Sequence, residues 1–411
     1  MSKRNISDLL NGEEGLESEQ PPATRQRRRS PSPAATHKLS YPDPSSDPRP
    51  PPAFQQPTQL ISFSYTHARE LELTDSALRY FVAPPANAQL SHAYERWNRR
   101  PEGRARIDGL LRALSAVRTK KHPALASGVG VVAWRGVITR VLTAPYEERD
   151  GWELNVMCVD GVLYFEEHLS EARLLEKNDI EPRHRRQTYF GYAFESYCTT
   201  DTPGRPNIPQ NPGDPPGWGG DVDTNVQWCS VVRTKLGDTR MVIGGEVDCV
   251  RGKYTGTTET FVELKTSLVI RGPHDEAKFE KKLLKFYMQS FLLGVPEILV
   301  GFRTPAGQVT TTQTFKTVEI PRLVRGKPHA WDPAVCLRWG DAFLAFLKTH
   351  LKDAPQTRVW RVSFRPKAGV ELRVLGAAGV EEVVAGEERV GFLPQWYWDE
   401  VVKPADESKG D

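Results

Sequence analysis

Two acidic pairs in neighbouring apolar segments constrain this chain more than any other feature. The sequence predicts strands over residues 241–250 and 260–270, joined by a turn-rich segment. The first strand carries Glu246 and Asp248, and the second carries Glu263 and Lys265. Side chains alternate between faces along a strand, so each pair shares one face. Pairing of the two strands as a hairpin would gather three carboxylates and one ammonium group in a single patch.

Crowded carboxylates of this kind predict a divalent-metal site, because like charges repel unless a cation lies among them. Asp248 and Glu263 would hold the ion, with the Leu264 carbonyl available as a further oxygen ligand. Lys265 would orient or activate the attacking water, or stabilise charge developing on a phosphate. One or two Mg²⁺ or Mn²⁺ ions would lower the pKa of a bound water, which is the chemistry of metal-dependent phosphodiesterases.

The alternative is a buried ion-pair network around Lys265. Several carboxylates against one lysine leave negative charge uncompensated, so the metal interpretation is favoured. Two ions are expected if Glu246 and Glu195 also point inward. Glu195 lies beside the apolar stripe of a predicted helix, where a solvent-facing glutamate is the commoner outcome.

Arg135 is the other charged residue that the pattern places in an apolar setting. Residues 129–142 read as a buried strand, and a guanidinium group there is costly to bury without an anionic partner. The partner is either an internal carboxylate or a bound phosphate, and the sequence leaves both open.

Composition limits the class of protein. The 411 residues are 38% hydrophobic and 26% charged, within the range of soluble globular proteins. The net charge of +3 shows no overall basic excess, so any nucleic-acid surface must be local. Five cysteines without a CxxC pair argue against a zinc module or a disulfide framework and favour a reducing compartment. No long apolar run predicts a membrane span.

The chain divides into a tail and one domain. Residues 1–57 are predicted to be disordered, because proline, serine and charge dominate there. The basic run at residues 25–29 is either a nuclear localisation signal or a solvated charge run. A single catalytic domain is predicted over residues 58–403, followed by a polar tail at 404–411.

Within the domain, periodicity predicts both strands and helices. Helices are expected at 105–117, 185–199, 279–293 and from Pro333, after the N-cap Asp332. Strands are expected at 61–65, 78–82, 129–142, 226–234, 297–303, 308–318, 359–364 and 370–375, with a hairpin over 152–165. Residues 201–221 are rich in proline and glycine and are predicted to form a surface loop.

Six short motifs, in order, resemble those of the DXO-type decapping nucleases, a family that includes the fungal Rai-type proteins. The motifs are Trp134-Arg135-Gly136, Gly191-Tyr192-Ala193-Phe194-Glu195, Glu246-Val247-Asp248, Glu263-Leu264-Lys265, Lys285-Phe286-Tyr287-Met288-Gln289 and Gly301-Phe302-Arg303. Each motif is short, but six in order are specific. The resemblance covers the chain from about residue 60 to the C-terminal strands.

The resemblance implies an α+β fold with two central mixed or antiparallel β-sheets flanked by helices, similar to the Asp…Glu-x-Lys nuclease superfamily. It implies divalent-metal-dependent hydrolysis near the 5′ end of RNA, with 5′-triphosphate RNA, incompletely methylated caps and NAD-type caps as substrates. Fungal members of the family bind and stabilise a nuclear 5′→3′ exoribonuclease. That partner and a nuclear location are therefore expected.

The resemblance also implies residue roles in this chain. The metal ligands would be Glu195, Glu246, Asp248, Glu263 and, through its carbonyl, Leu264. The same four carboxylates and Lys265 would be the catalytic residues. The substrate would be bound by Trp134, Arg135, Gly136, Cys229, Glu246, Lys265 and Gln289. The alternative to a substrate-binding role for Cys229 is that it is simply a buried cysteine.

Two other functions compete with an RNA 5′-end hydrolase. One is a non-catalytic scaffold that only stabilises the exoribonuclease, although such a scaffold has no physical need for the full carboxylate set. The other is a DNA nuclease of the same superfamily. A comparison of RNA with DNA of the same sequence would distinguish the two enzymes, because only RNA offers a 2′-hydroxyl to contact.

Overall fold

A computed structural model describes residues 36–42, 50–121 and 127–402, all within one compact unit, Ala35–Asp411. The strands are β1 (Thr36–Leu39), β2 (Thr58–Tyr65), β3 (Leu71–Glu72), β4 (Tyr80–Phe81), β5 (Val131–Trp134), β6 (Trp152–Val159), β7 (Val162–His168), β8 (Thr199–Thr200), β9 (Gln227–Leu236), β10 (Thr239–Glu246), β11 (Cys249–Val250), β12 (Phe261–Leu268), β13 (Glu297–Arg303), β14 (Val309–Lys316), β15 (Trp360–Arg365), β16 (Gly369–Val374), β17 (Arg389–Val390) and β18 (Leu393–Pro394). The α-helices are α1 (Asp108–Ala116), α2 (Arg135–Thr143), α3 (Glu171–Asn178), α4 (Pro182–Cys198), α5 (Pro273–Leu293), α6 (Ile320–Val324), α7 (Pro333–Leu351), α8 (Ala377–Val384) and α9 (Gln395–Val401).

The strands form two large mixed sheets and a short ribbon. The first sheet has the order β1-β16-β15-β6-β7-β5-β10-β9-β2-β3, and the second has the order β14-β13-β12-β11-β4-β8. Strand β5 is parallel to both β10 and β7, and β12 is parallel to β13. The ribbon pairs β17 with β18. The predicted α+β class with two central sheets is thereby confirmed.

Helices cover and connect the sheets. The largest apolar core joins β5, β6, β9 and β10 of the first sheet, β12 and β13 of the second, and helices α2, α5 and α7. Helix α5 contacts β10 in one sheet and β13 in the other. A second core packs α1 and α9 on the opposite face of the first sheet, and a third packs α4 on the outer face of the second.

Local sequence explains where the long helices begin and end. Helix α5 starts at Pro273, which needs no hydrogen-bond partner for an N–H group in the first turn. It ends at Gly294, whose φ of 71° is the left-handed conformation that glycine adopts without strain. Helix α7 begins after Asp332, whose side chain accepts a hydrogen bond from the amide of Ala334 at 2.9 Å.

Most predicted elements are confirmed, but the predicted hairpin at the acidic pairs is wrong. Strand β10 ends at Glu246, pairs with β9 and β5, and belongs to the first sheet. Strand β12 belongs to the second sheet and pairs only with the two-residue β11 on that side. The tight turn at Gly237, with a φ of 53°, joins β9 to β10 instead. Both strands are buried on both faces along most of their length, so their pattern did not specify which partner each would take.

The predicted strand over residues 129–142 is also wrong. Strand β5 covers only four of those residues, and helix α2 begins at Arg135. Val137, Ile138, Val141 and Leu142 are buried at helical spacing in the core shared with α5 and α7. Tertiary packing therefore overrides the strand preference of a run rich in β-branched residues.

Regular structure begins before the predicted domain boundary at residue 58. Strand β1 pairs antiparallel with β16 along four residues. Nearby, the amide of Gln55 donates a hydrogen bond to the carbonyl of Lys235 at 2.8 Å. The basic run at residues 25–29 and the tail at 404–411 lie outside the described residues. No helix among the described residues is both long and apolar enough to cross a membrane.

Candidate active site

Asp248, which directly precedes β11, lies opposite Glu263 of β12. Cys249 pairs with Val262 in the antiparallel β11–β12 ladder, which places the two acidic residues opposite each other one step further on. Asp248 Oδ2 accepts a 2.6 Å hydrogen bond from the Leu264 amide. That bond fixes the carboxylate against the backbone of β12.

Two cations hold Glu263, which is fully buried. Arg135 Nη1 lies 3.2 and 3.1 Å from its two carboxylate oxygens, and Lys265 Nζ lies 2.6 Å from Oε1. Burial opposes ionisation of Glu263, but Arg135 and Lys265 outweigh it and lower the pKa of the carboxyl group. Lys265 also lies 3.8 Å from Asp248 Oδ2. Of the two partners that the sequence left open for Arg135, the structure shows the internal carboxylate.

The start of helix α2 places Arg135 at this site. The side chain projects from the first residue of the helix, beside Gly245 at the end of β10. A Cβ atom on Gly245 would lie 3.0 Å from Arg135 Cβ and 2.8 Å from Leu293 Cδ1. The missing side chain of Gly245 is therefore what leaves room for the guanidinium group.

Glu246 closes β10 and stands opposite Cys229 on β9. Its Oε2 accepts a 2.8 Å hydrogen bond from the side-chain amide of Gln227. Arg69 Nη1 donates to Gln227 Oε1 at 2.5 Å and to the Asn225 carbonyl at 2.8 Å. Arg69 thus turns the Gln227 amide nitrogen towards Glu246. Sequence reasoning missed this relay, although the alternation of β9 puts residue 227 on the same face as Cys229.

Glu195 approaches from helix α4. The helix buries Tyr189, Phe190, Ala193, Phe194 and Tyr197 against the second sheet. Phe194 packs on Gly301 of β13, where an added Cβ would lie 2.5 Å from the ring. Burial and the nearby Asp248 and Glu246 raise the pKa of Glu195 well above its usual range. Glu195 is half-buried and lines the same cleft as Glu246 and Asp248, so it faces the acidic cluster.

The charge balance of the cluster favours a bound cation. Four carboxylates gather around two permanent cations, Arg135 and Lys265. Burial and Asp248 raise the pKa of Glu246 to about 7, and burial and Glu263 raise the pKa of Asp248 to about 6. Carboxylates that repel in this way are stabilised in their ionised form by a divalent ion.

The donor set therefore has the oxygen chemistry that a hard divalent cation requires. Among the described residues, no three His, Cys, Asp or Glu side chains lie close enough together to share one ion. The ion pairs between Glu263 and its two cations take up oxygens that a metal would also use. The sequence alternative of an ion-pair network is thus present, but it leaves negative charge unbalanced.

A cleft of about 370 Å³ opens beside the cluster. Glu195, Glu246 and Asp248 line it, together with Tyr192 and the loop residues 219–224. The first three residues of this loop are the end of the predicted proline- and glycine-rich segment at 201–221. Arg79 lines the opposite part of the cleft, where it bonds Asp201 and donates to the Gly219 carbonyl at 3.3 Å. Neither Tyr192 nor Arg79 was assigned a role from the sequence.

The remaining predicted substrate residues are less closely gathered. Trp134 donates its indole N–H to the Arg106 carbonyl at 3.0 Å and packs against Phe63, which is a structural role. Gly136 is exposed in the first turn of α2, and Gln289 is half-buried on α5. Cys229 is buried, and burial and Glu246 raise the pKa of its thiol, so it lines the site as a neutral group.

Carboxylates on two adjacent strand ends and a helix, with a lysine two residues after one of them, define the class of a metal-dependent nuclease. Comparison with known proteins agrees with this class, since the model of the RAI1-like PD-(D/E)XK nucleases matches residues 55–398. The chain belongs to that family. The resemblance stated from the six motifs is confirmed, and family membership makes a divalent metal ion the cofactor.

Several relatives match over most of their length. The decapping nuclease RAI1 of Cryptococcus neoformans is 36% identical over 358 residues, covering 80% of this chain and 91% of the relative. The decapping and exoribonuclease protein of Bos taurus is 35% identical and covers 89% and 92%, respectively. The crystal structure of S. pombe Rai1 in complex with 3′-FADP is 27% identical, with a TM-score of 0.69, and covers 83% of this chain and 100% of that one.

Proposed function

We propose that this protein is a decapping nuclease that hydrolyses a phosphodiester or phosphoanhydride bond near the 5′ end of RNA. The observation that carries the proposal is the cluster of Glu195, Glu246, Asp248 and Glu263 around Lys265, in a chain of the RAI1-like nuclease family. The relatives named above as decapping nucleases support the substrate. Triphosphorylated ends, incompletely methylated caps and NAD-type caps are the candidate groups.

The chain's own residues supply orientation and charge in this reaction. Burial opposes the charged form of Lys265, but Glu263 and Asp248 outweigh it and raise its pKa, so Lys265 remains an ammonium group that stabilises charge on the phosphate. Arg135 is half-buried beside it and can contact a substrate phosphate with the guanidinium edge that Glu263 leaves free. Gln289 and the Leu264 carbonyl remain the proposed contacts to substrate and metal, respectively.

We propose Mg²⁺ or Mn²⁺ as the cofactor, held by the four carboxylates. When bound, the ion lowers the pKa of water and offsets the charge of the scissile phosphate. Glu195 and Glu246, whose ionisation is the least favoured without a cation, gain most from its presence. Glu263 would join them as a ligand, and Arg135 and Lys265 keep it ionised for that role.

The test uses 5′-triphosphate RNA, NAD-capped RNA and unmethylated capped RNA with Mg²⁺ and with Mn²⁺. Glu263→Gln keeps the shape of a buried side chain while removing its charge, so the fold should survive and product release should fall at least about 100-fold. Circular dichroism checks the fold. Undiminished release by this variant would overturn the assignment.

Glu371→Gln provides the matched control, because Glu371 is exposed on β16, far along the first sheet from the cluster. Its activity should equal that of the unmodified protein. DNA of the same sequence is included in the panel. Cleavage of DNA and RNA at equal rates would favour the DNA-nuclease alternative, since an RNA enzyme uses the 2′-hydroxyl.

We also propose that the protein works in the nucleus and binds a 5′→3′ exoribonuclease, as the resemblance to fungal Rai-type proteins implies. Mixing the two proteins should raise the unfolding temperature of the exoribonuclease and give one peak in size-exclusion chromatography. Separate peaks and an unchanged unfolding temperature would contradict the partnership. A fluorescent fusion with residues 25–29 changed to alanine tests the nuclear signal, because loss of the basic run should abolish nuclear accumulation.

A further inference from the structure

Arginine and aromatic side chains form a continuous surface that begins at the catalytic cleft. We call it the arginine–aromatic ridge. It consists of Tyr94, Trp97, Arg99, Arg185, Arg186 and Tyr192. Tyr192 lines the cleft itself, one helical turn before Glu195 on α4. The ridge therefore starts where the RNA 5′ end would be held.

The rings of the ridge contact one another at tilted angles. Trp97 lies 5.8 Å from Tyr192 and 6.3 Å from Tyr94, measured between ring centroids. All three residues are half-buried, so part of each side chain remains exposed. The buried Tyr189 supports them from below, at 5.5 Å from Trp97 and 5.2 Å from Tyr94. Such a row offers faces and edges on which nucleobases can stack.

Guanidinium groups lie over the same rings. Arg185 and Arg99 are each 5.9 Å from the Trp97 ring, and Arg186 is 5.2 Å from the Tyr94 ring. Arg99 donates to two backbone carbonyls, those of Lys177 and Asn178. In the described part of the chain, no carboxylate forms an ion pair with Arg185 or Arg186, and both are exposed. Their positive charge is thus available to an anion.

The ridge is joined to the cleft by backbone contacts as well. The amide of Asn98 donates to the Val222 carbonyl at 3.0 Å, and the amide of Thr224 donates to the Asn98 carbonyl at 3.1 Å. Val222 and Thr224 line the cleft. The segment that carries Trp97 is therefore held in a fixed position beside the cleft wall.

We infer that the arginine–aromatic ridge binds the single-stranded RNA that follows the 5′ end, and this rests on the proposed function. From Glu195 to Arg185 the helix spans about 15 Å, at about 1.5 Å per residue. Stacked nucleotides advance about 3.4 Å each, so the ridge accommodates roughly four of them. The bases stack on the rings, and the phosphates face the guanidinium groups.

The test compares a 5′-triphosphate dinucleotide with a decamer that begins with the same two nucleotides. The variant Arg185→Glu/Arg186→Glu reverses two exposed charges near the N-terminus of α4, where acidic side chains are compatible with the helix. KM for the decamer should rise about tenfold or more, while kcat and the KM of the dinucleotide stay unchanged. Lys352→Glu/Arg358→Glu makes the same charge change at exposed positions after α7 and should alter neither substrate.

Binding of the two labelled RNAs is measured in parallel by fluorescence anisotropy over a range of salt concentrations. Loss of two phosphate contacts should flatten the dependence of log affinity on log salt by about 1.4, at about 0.7 per contact. If the variant binds the decamer as tightly as the unmodified protein does, or loses affinity equally for both RNAs, the proposal that the ridge binds RNA is wrong. If the unmodified protein hydrolyses neither RNA but the variant loses decamer binding, the proposed hydrolase function is wrong and RNA binding by the ridge is supported.

Discussion

Gln227 shows how a single side chain outside the acidic cluster can control it. Its amide nitrogen donates to Glu246, and its amide oxygen is held by Arg69, which lies 3.6 Å from the Tyr65 ring centroid. A hydrogen bond to an ionised carboxylate favours the charged form, which is the form that binds metal. Removal of a group that orients a metal ligand in this way commonly lowers the affinity for the metal ion.

We expect Gln227→Ala to weaken binding of Mn²⁺ about tenfold or more, because Glu246 loses its donor and its proton becomes harder to remove. Isothermal titration calorimetry of the folded variant measures the dissociation constant. Gln59→Ala is the control, since Gln59 is a half-buried glutamine on neighbouring β2 that bonds Ser230 and Tyr254. Equal Mn²⁺ affinity in the two variants would show that Gln227 does not orient Glu246.

The sequence predicted which residues carry the charged groups of the site, but it did not predict which of them contact one another. The spacing of Glu263 and Lys265 is visible in the sequence, because alternation along one strand is a local property. The contact of Arg135 with Glu263 is not visible, since 128 positions separate the two residues. The role of Gln227 was hidden for the same reason, because its partner Arg69 belongs to another part of the chain.

Elements differ in how far their sequence determines them. Helices α4 and α5 were predicted because long apolar stripes at helical spacing and clear terminal residues agree. Helix α2 was not predicted, because its nine residues include several β-branched ones and its helical form depends on contacts with α5 and α7. The predicted pairing of β10 with β12 was wrong for a related reason, since strands buried on both faces give no signal about which sheet they join.

Strand β1 lies at the edge of the first sheet and carries one member of a stacked histidine pair. His37 on β1 stacks on His350 of α7 with ring centroids 4.0 Å apart, and His350 also meets Phe346 at 4.8 Å. Burial and the neighbouring His37 lower the pKa of His350. When β1 is detached, His350 takes up a proton below about pH 6.5, whereas with β1 in place it needs a lower pH. Acid therefore favours detachment of β1.

Amide hydrogen exchange in residues 36–39, corrected for intrinsic rates, should therefore be several-fold faster at pH 5 than at pH 7.5. His350→Gln removes the titrating group and should make the corrected rates equal at the two values. Exchange in β7, near the middle of the sheet, serves as an internal reference. An equal acceleration in the variant would mean that other groups control the docking of β1.

At the scale of the whole molecule, the metal site and the fold are separable. A large apolar core shared by the two sheets and two smaller cores hold the fold, and Arg135 and Lys265 already balance part of the acidic charge. We expect chelation to abolish hydrolysis while the far-ultraviolet circular dichroism spectrum stays unchanged. Readdition of Mn²⁺ at about 100 times its dissociation constant should stabilise the protein by about 2.7 kcal/mol and raise the unfolding temperature.

Asp248→Asn should show no such rise, because it removes a carboxylate at the centre of the cluster. Asp353→Asn, an exposed change just after α7, should retain the full response. Differential scanning calorimetry with and without Mn²⁺ measures both variants. A full response by Asp248→Asn would place the ion away from the cluster.

The step from Glu246 to Asp248 has a mechanical consequence. Glu246 ends a strand of the first sheet and Asp248 precedes a strand of the second, so two peptide steps, at most about 7 Å of chain, tie the sheets together at the reacting centre. A link this short limits how far the two sheets can move apart at this point. We therefore expect the spacing of Glu246 and Asp248 to vary less than distances between the outer edges of the two sheets.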